Sequence, residues 1–237
     1  MPASYYPTEY LELNIARGLV KGTTHINKYG YNPTVGSSYE TVWDGANTYV
    51  YIATAGTATV TSTEDDDVDG TVLVQGLDSN YNEVEETLTI GGSAGQQLFY
   101  RVFRAQMLTA NTGETNTGNI SITVDSKVAA RITADYGQTL MAIYTIPAGK
   151  KGYMTQLDVG SSKDLENEVK VLTRNGVSLS WNTKSFITTR GGFLEKNFKV
   201  PMELPEKTDI EVRAKSSATS SISAGFELVI IEDRLGA

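Results

Sequence analysis

Cysteine is absent from the 237 residues, which excludes a disulfide framework and every thiolate nucleophile or ligand. There is a single histidine, His25. A Ser-His-Asp machine therefore has one candidate base at most, and zinc sites built on several His or Cys cannot form within one copy. No apolar run approaches the ~20 residues of a membrane span; stretches such as Leu228–Ile231 have the length of a strand. The first residues, MPASYYPTEY, lack the basic, apolar and small-residue stages of a signal peptide, so the expectation is a soluble chain made in the cytoplasm. P-loop, GxGxxG and GxSxG patterns are missing as well. Acids are plentiful enough for a glycosidase pair, but nothing marks a particular pair.

Helical periodicity is nearly absent too. What is present is period-2 alternation in short runs rich in Val, Ile, Tyr and Phe, punctuated by Gly, Ser, Thr and Asn. The fold class expected is all-β: two β-sandwich, jelly-roll-like domains over 38–130 and 131–237, preceded by an N-terminal arm over 1–37. In the first domain, Thr71–Leu77 and Glu83–Ile90 flank the polar turn Asp78–Asn82, and Thr41–Trp43 is expected to pair with Tyr49–Ile52. Residues 111–119 hold only Asn, Thr, Gly and one Glu, and are expected to form a mobile surface loop. In the second domain, Pro147 to Lys150 is expected to turn Thr139–Ile146 back onto Gly152–Val159. The strict alternation of Ile210–Ala214 sends one face to the core and a charged face to solvent, whereas Leu228–Ile231 should be covered on both faces.

Net charge is −8, unevenly spread. Residues 38–130 carry 13 acidic against 3 basic side chains, while the other two segments are close to balanced. Such a middle third repels phosphate backbones, so nucleic acid is not an expected partner. Its bland reading is a solvated acidic face; its sharper one is docking onto a basic partner.

Two groups of residues are candidate sites. Asp65, Asp67 and Asp69, followed by Gly70, place carboxylates at alternate positions before a turn residue, the donor chemistry of a Ca²⁺ loop. The twelfth position of an EF-hand would be Gly76 instead of a bidentate Glu, so only a loop of another kind would serve; the competing reading is a solvated turn. Tyr5, Tyr6, Tyr10, Tyr29, Tyr31 and Tyr39 cluster in and around the arm. A segment that cannot bury a core of its own and is rich in Tyr suits contact with a second subunit, or packing back on its own domain. Exposed aromatics would also suit a sugar.

Several stretches, taken in order, resemble a family of uncharacterised virion structural proteins of tailed phages that infect marine and freshwater bacteria. They are Ile15–Gly18, Tyr29–Pro33, Thr41–Gly45, Val74–Asp78, Arg101–Arg104, Thr139–Gly149, Glu206–Glu211 and Ser223–Phe226. The resemblance spans nearly the whole chain and implies a virion component, assembled in the host cytoplasm, with no catalytic residues. Glu64–Asp69 is more acidic than the matching family segment, so calcium does not follow from it. Two stations suit such a chain: a capsid decoration (cement) protein on the major capsid protein, or a tail, neck or baseplate part acting as adaptor or fibre anchor and binding host glycan. A homo-oligomer, with a trimer suiting both stations, is the expected assembly; a carbohydrate-active enzyme of the virion is the alternative of another class.

Overall fold

The computed structural model describes residues 11–45, 47–175 and 180–233, and they form an all-β protein. A short helix α1 (Leu11–Ala16) precedes β1 (Thr23–Val35) and β2 (Glu40–Thr41). The acidic third supplies β3 (Gly56–Thr57), β4 (Thr59–Ser62), β5 (Thr71–Leu77), β6 (Glu83–Thr89), β7 (Leu98–Phe99), β8 (Arg101–Thr109), β9 (Ile120–Val124) and β10 (Lys127–Ile132). Next come β11 (Ile143–Thr145), β12 (Lys150–Asn175), β13 (Asn182–Leu204), β14 (Thr208–Ser216) and β15 (Ser220–Glu232). Among the described residues no helix is long and apolar enough to cross a membrane.

The long strand β12 organises the largest sheet. Along one side it pairs antiparallel with β13. Along the other it pairs with β15 over Lys150–Ser161 and with β14 over Asn167–Asn175. Outside those lie β1 on β15, and β11 and β2 on β14. This sheet buries Tyr144, Met154, Phe226, Leu228 and Ile230 in one core. Two three-stranded sheets, β6-β5-β8 and β10-β9-β4, send Val72, Val74, Val102, Ile120, Ile122 and Ile132 into a second core. That core also takes Trp43, Met141 and Ile143, which lie outside the acidic third or at its edge.

The β5–β6 hairpin forms where turn chemistry placed it. Asp78 Oδ1 accepts from the amides of Asn80 and Asn82 at 2.8 and 2.9 Å, and Tyr81 adopts a φ of +66°. Other expectations fail for identifiable reasons. Residues 23–35, expected in an arm, are a full strand of the large sheet. Between Ile26 and Val35 their buried positions are Lys28, Gly30 and Asn32 rather than aliphatic residues, so hydrophobic periodicity hides the strand. The turn at Pro147 and Gly149 (φ +69°) is present, but the segments around it do not pair with one another. Ile146 instead exchanges backbone hydrogen bonds with Lys207 and Thr208, which carries β11 to β14. Thr41–Trp43 likewise makes no hairpin with 49–52, because Trp43 bridges to Met141.

Residues 111–119 are not a free loop either. Asn116 is fully buried, and its side-chain amide donates to Gly118 O at 2.7 Å and Thr133 O at 2.9 Å. Hydrogen bonds hold the segment where apolar packing is unavailable. On β15, Leu228 and Ile230 are buried while Ile231 is exposed, so this strand alternates and is not covered on both faces. On β14, by contrast, Asp209 and Glu211 of the charged face are buried along with the apolar one, while Arg213 and Lys215 are only partly covered.

Candidate functional site

The buried charged face of β14 sits where the two cores meet. Asp209 has no exposed surface, and its carboxylate is gripped from three strands. Arg101 of β8 donates from Nε at 2.8 Å and Nη2 at 3.0 Å, Arg174 of β12 from Nε at 2.9 Å, and Thr145 of β11 from Oγ1 at 2.7 Å. Aromatic rings flank the guanidiniums. Arg101 lies 4.2 Å from the Tyr100 ring centroid and 5.1 Å from that of Tyr51, and Arg174 stacks between Tyr51 at 4.3 Å and Trp181 at 4.7 Å. Two residues along, fully buried Glu211 takes Arg213 Nε at 2.7 Å and Nη2 at 3.0 Å and accepts from the Thr41 hydroxyl. Both buried carboxylates are matched by donors of the same chain, so the cluster acts as a brace between the sheets.

The three aspartates expected to hold calcium diverge. Asp65–Asp67 form a single 3-10 turn, with Asp65, Asp66 and Asp69 turned to solvent. The buried Asp67 carboxylate accepts from Thr117 N at 2.7 Å, Gly118 N at 2.8 Å, Thr117 Oγ1 at 3.0 Å and the Ser62 hydroxyl. Burial raises its pKa, but these donors outweigh burial and hold it below the usual value. Among the described residues no three His, Asp or Glu side chains converge well enough to hold a metal. Asp67 is a tie between β4 and the 111–119 segment. Asp67→Asn is therefore expected to destabilise by about 1–3 kcal/mol in urea melts. It should also speed hydrogen exchange at Thr117 and Gly118, and unchanged exchange there would remove the tie.

Of the six tyrosines, Tyr5, Tyr6 and Tyr10 lie outside the described residues. Tyr29 is 40% exposed and takes a hydrogen bond from the Gln138 side chain; Tyr31 is half-buried. Tyr39 packs on its own sheet. Its hydroxyl donates to Glu168 and its ring lies 3.8 Å beneath Lys170 Nζ, and partial burial with the Glu168 bond pushes its pKa up to about 12. His25 is exposed, 3.5 Å from Glu227.

A cleft of about 550 Å³ separates β1 from the β6-β5-β8 sheet, with His25, Lys28, Gln75, Glu83, Glu85 and Arg104 on its walls. Lys28 is only 7% exposed and donates to the Phe103 carbonyl. Burial and the neighbouring Arg104 charge lower its pKa to about 7, against a smaller opposing pull from Asp44. Asp44, also buried, has its pKa raised to about 7 by burial, opposed by amide donors such as Leu140 and by the charge of Arg131. Hydrophobic periodicity could not reveal either group; the only local signal for Lys28 was a cation inside an otherwise strand-like segment.

A folded pKa above the unfolded one means that Asp44 favours folding fully below about pH 4, a contribution lost as pH rises through about 7. Asp44→Asn and the parent should thus match near pH 4, and the variant should gain on the parent by up to about 4 kcal/mol by about pH 8. Parallel urea melts across that window measure it, and a constant difference would show that Asp44 is ionised throughout.

The second distinctive surface is the outer edge of β13. Among the described residues this 23-residue strand pairs only with β12, and Phe186, Phe193 and Val200 project from it at 50%, 68% and 82% exposure. Lys184, Arg190, Lys196 and Lys199 lie along it, Pro201 removes one amide, and the register breaks between Asn197 and Met202. Such devices discourage indiscriminate edge-to-edge pairing while leaving the apolar side chains accessible.

No protein-family model matches the chain, and no curated protein matches it. Among solved structures, it is similar to that of the infectious bursal disease virus Gx strain at 11% identity and a TM-score of 0.23, covering 89% of this chain and 71% of that one. It is likewise similar to the 2.6 Å structure of T=1 particles derived from infectious bursal virus, at 11% identity and a TM-score of 0.25, covering 90% and 70%. At such scores the likeness does not fix a common fold, and what is established is an all-β chain whose described residues form one long-stranded sheet and three small ones.

Proposed function

We propose that this chain is a non-enzymatic structural subunit of a tailed-phage virion, built as two β-sandwich bodies and serving as a capsid decoration (cement) protein. The observation that carries the reading is the free edge of β13. A strand that long, with Phe186, Phe193 and Val200 exposed, offers a neighbour both backbone groups and apolar area. Burial of that area contributes roughly 25 cal/mol per Å² before association costs, and repetition by symmetry multiplies weak contacts through avidity. The ordered series of stretches from Ile15 to Phe226 that resembles phage virion proteins supports the same reading. Its partners are then further copies of itself, as a trimer, and the major capsid protein, with assembly in the host cytoplasm.

Copy number is the test. In a stained gel of washed particles a decoration protein approaches the major capsid protein in amount. A faint band would move the chain to the tail, neck or baseplate, where host glycan becomes a ligand to assay. Its absence from washed particles would end the virion reading.

A further inference from the structure

The cleft between β1 and the β6-β5-β8 sheet carries cationic side chains on one wall and acidic ones on the other. Glu83 is tied to Lys150, Glu85 accepts from Gln75 Nε2 at 3.1 Å, and His25 faces Glu227 at 3.5 Å. Among the described residues no carboxylate hydrogen-bonds to Lys28 or Arg104. Lys28 gives one hydrogen bond to a backbone carbonyl, and Arg104 Nη2 donates to the neutral Gln138 side chain at 3.0 Å. Neither joins an ion pair among the described residues. An ammonium has three donors and a guanidinium five, so both keep donors to spare at a wall that opens on about 550 Å³ of space. A buried cation beside a second cation, offset only by the smaller pull of Asp44, whose own buried carboxyl tends to hold its proton, is stabilised by shedding its proton or by gaining an anion.

We propose that this cleft is an oxyanion-binding site, in which Lys28 and Arg104 together hold one carboxylate or phosphate group. The β1 backbone places Lys28 at the floor, and Arg104 reaches in from β8 beside Phe103. Glu83 and Glu85 on the facing wall limit the site to one compact anionic group and disfavour an extended polyanion. Binding recharges Lys28. In the free protein burial and Arg104 lower its proton affinity, whereas a bound anion raises it, so the two ligands, anion and proton, assist each other's binding. The site is independent of the virion reading and stands or falls without it.

Calorimetry on the full chain at about pH 8, in two buffers of different ionisation enthalpy and at fixed ionic strength, tests this with sodium phosphate and sodium glutarate as probes. Saturable binding accompanied by proton uptake is expected for at least one of them. Phosphate alone would identify a phosphoryl ligand; glutarate, with or without phosphate, a carboxylate. Lys28→Met should weaken binding by about ten-fold or more and abolish proton uptake, while Arg104→Gln should weaken it to a similar degree and leave the uptake in place. Absence of binding by both probes, or unchanged affinity in both variants, would overturn the assignment. Should Lys28→Met fail to fold, Arg104→Gln and the proton uptake of the parent protein still decide it.

Discussion

Replacing Asp209 by asparagine is expected to lower the unfolding free energy by about 3–5 kcal/mol, the largest loss for any near-isosteric change in the chain. The side chain keeps its volume and one acceptor oxygen, so packing hardly changes. What changes is that the Arg101 guanidinium, buried between Tyr100, Tyr51 and Tyr81, and that of Arg174 lose their shared counter-charge. Uncompensated charge in that position is far more costly than the pair is beneficial. Arg101→Met should cost less, because Arg174 and Thr145 still hold the carboxylate. Urea melts followed by tryptophan fluorescence suit the measurement, since Trp181 stacks on Arg174 and reports on the seam directly. A loss below about 1 kcal/mol for Asp209→Asn would mean that the seam is wet and that the brace does not couple the two cores.

Why that seam was invisible in the sequence follows from distance along the chain. Asp209 and Arg101 are 108 residues apart, and within β14 the run Ile210–Ala214 obeys the ordinary alternation in which charge faces water. Nothing local distinguishes a charged face that meets solvent from one that meets a partner sheet with its own arginine. The same holds for β1, whose buried positions before Val35 are Lys28, Gly30 and Asn32. By contrast, the turn at Asp78–Asn82 was legible because its stabilising contacts lie within five residues, and Gly149 was legible as a positive-φ turn while the destination of its flanking strands was not. Of the residues singled out beforehand, Asp67 proved important for holding a segment in place, although through amide and hydroxyl donors in place of a metal. The expectation that alternation builds an all-β chain was sound; pairing partners were the part that required long-range information.

The second large effect is expected at Gly30, where the outer edge of β1 reaches the opposite edge of the same sheet. Val42 N donates to Val212 O at 2.9 Å, Val212 N to Ala142 O at 3.1 Å, and Ala142 N to Val42 O at 3.0 Å, so three segments share one hydrogen-bonded knot. Gly30 packs on that knot without a side chain to interpose. A Cβ there would stand 2.1 Å from Val42 O and 2.4 Å from Ala142 N. Both are backbone atoms, already committed to hydrogen bonds, and neither can swing aside as a flexible side chain would. Gly30→Ala is therefore expected to cost about 3 kcal/mol or more, at or beyond the upper end of ordinary overpacking, and to lower expression of soluble protein. Gly18→Ala provides the contrast: its site is open, with nothing within 4 Å of the added methyl. Its φ of +70° imposes only the local strain of a left-handed residue, about 1–2 kcal/mol. Hydrogen exchange separates the two mechanisms. Gly30→Ala should deprotect the amides of Val42, Ala142 and Val212 together, because the clash acts on their shared knot, whereas Gly18→Ala should leave all three protected. If Gly30→Ala melts within about 1 kcal/mol of the parent, the two edges do not meet at this glycine and the sheet is more open than its register implies.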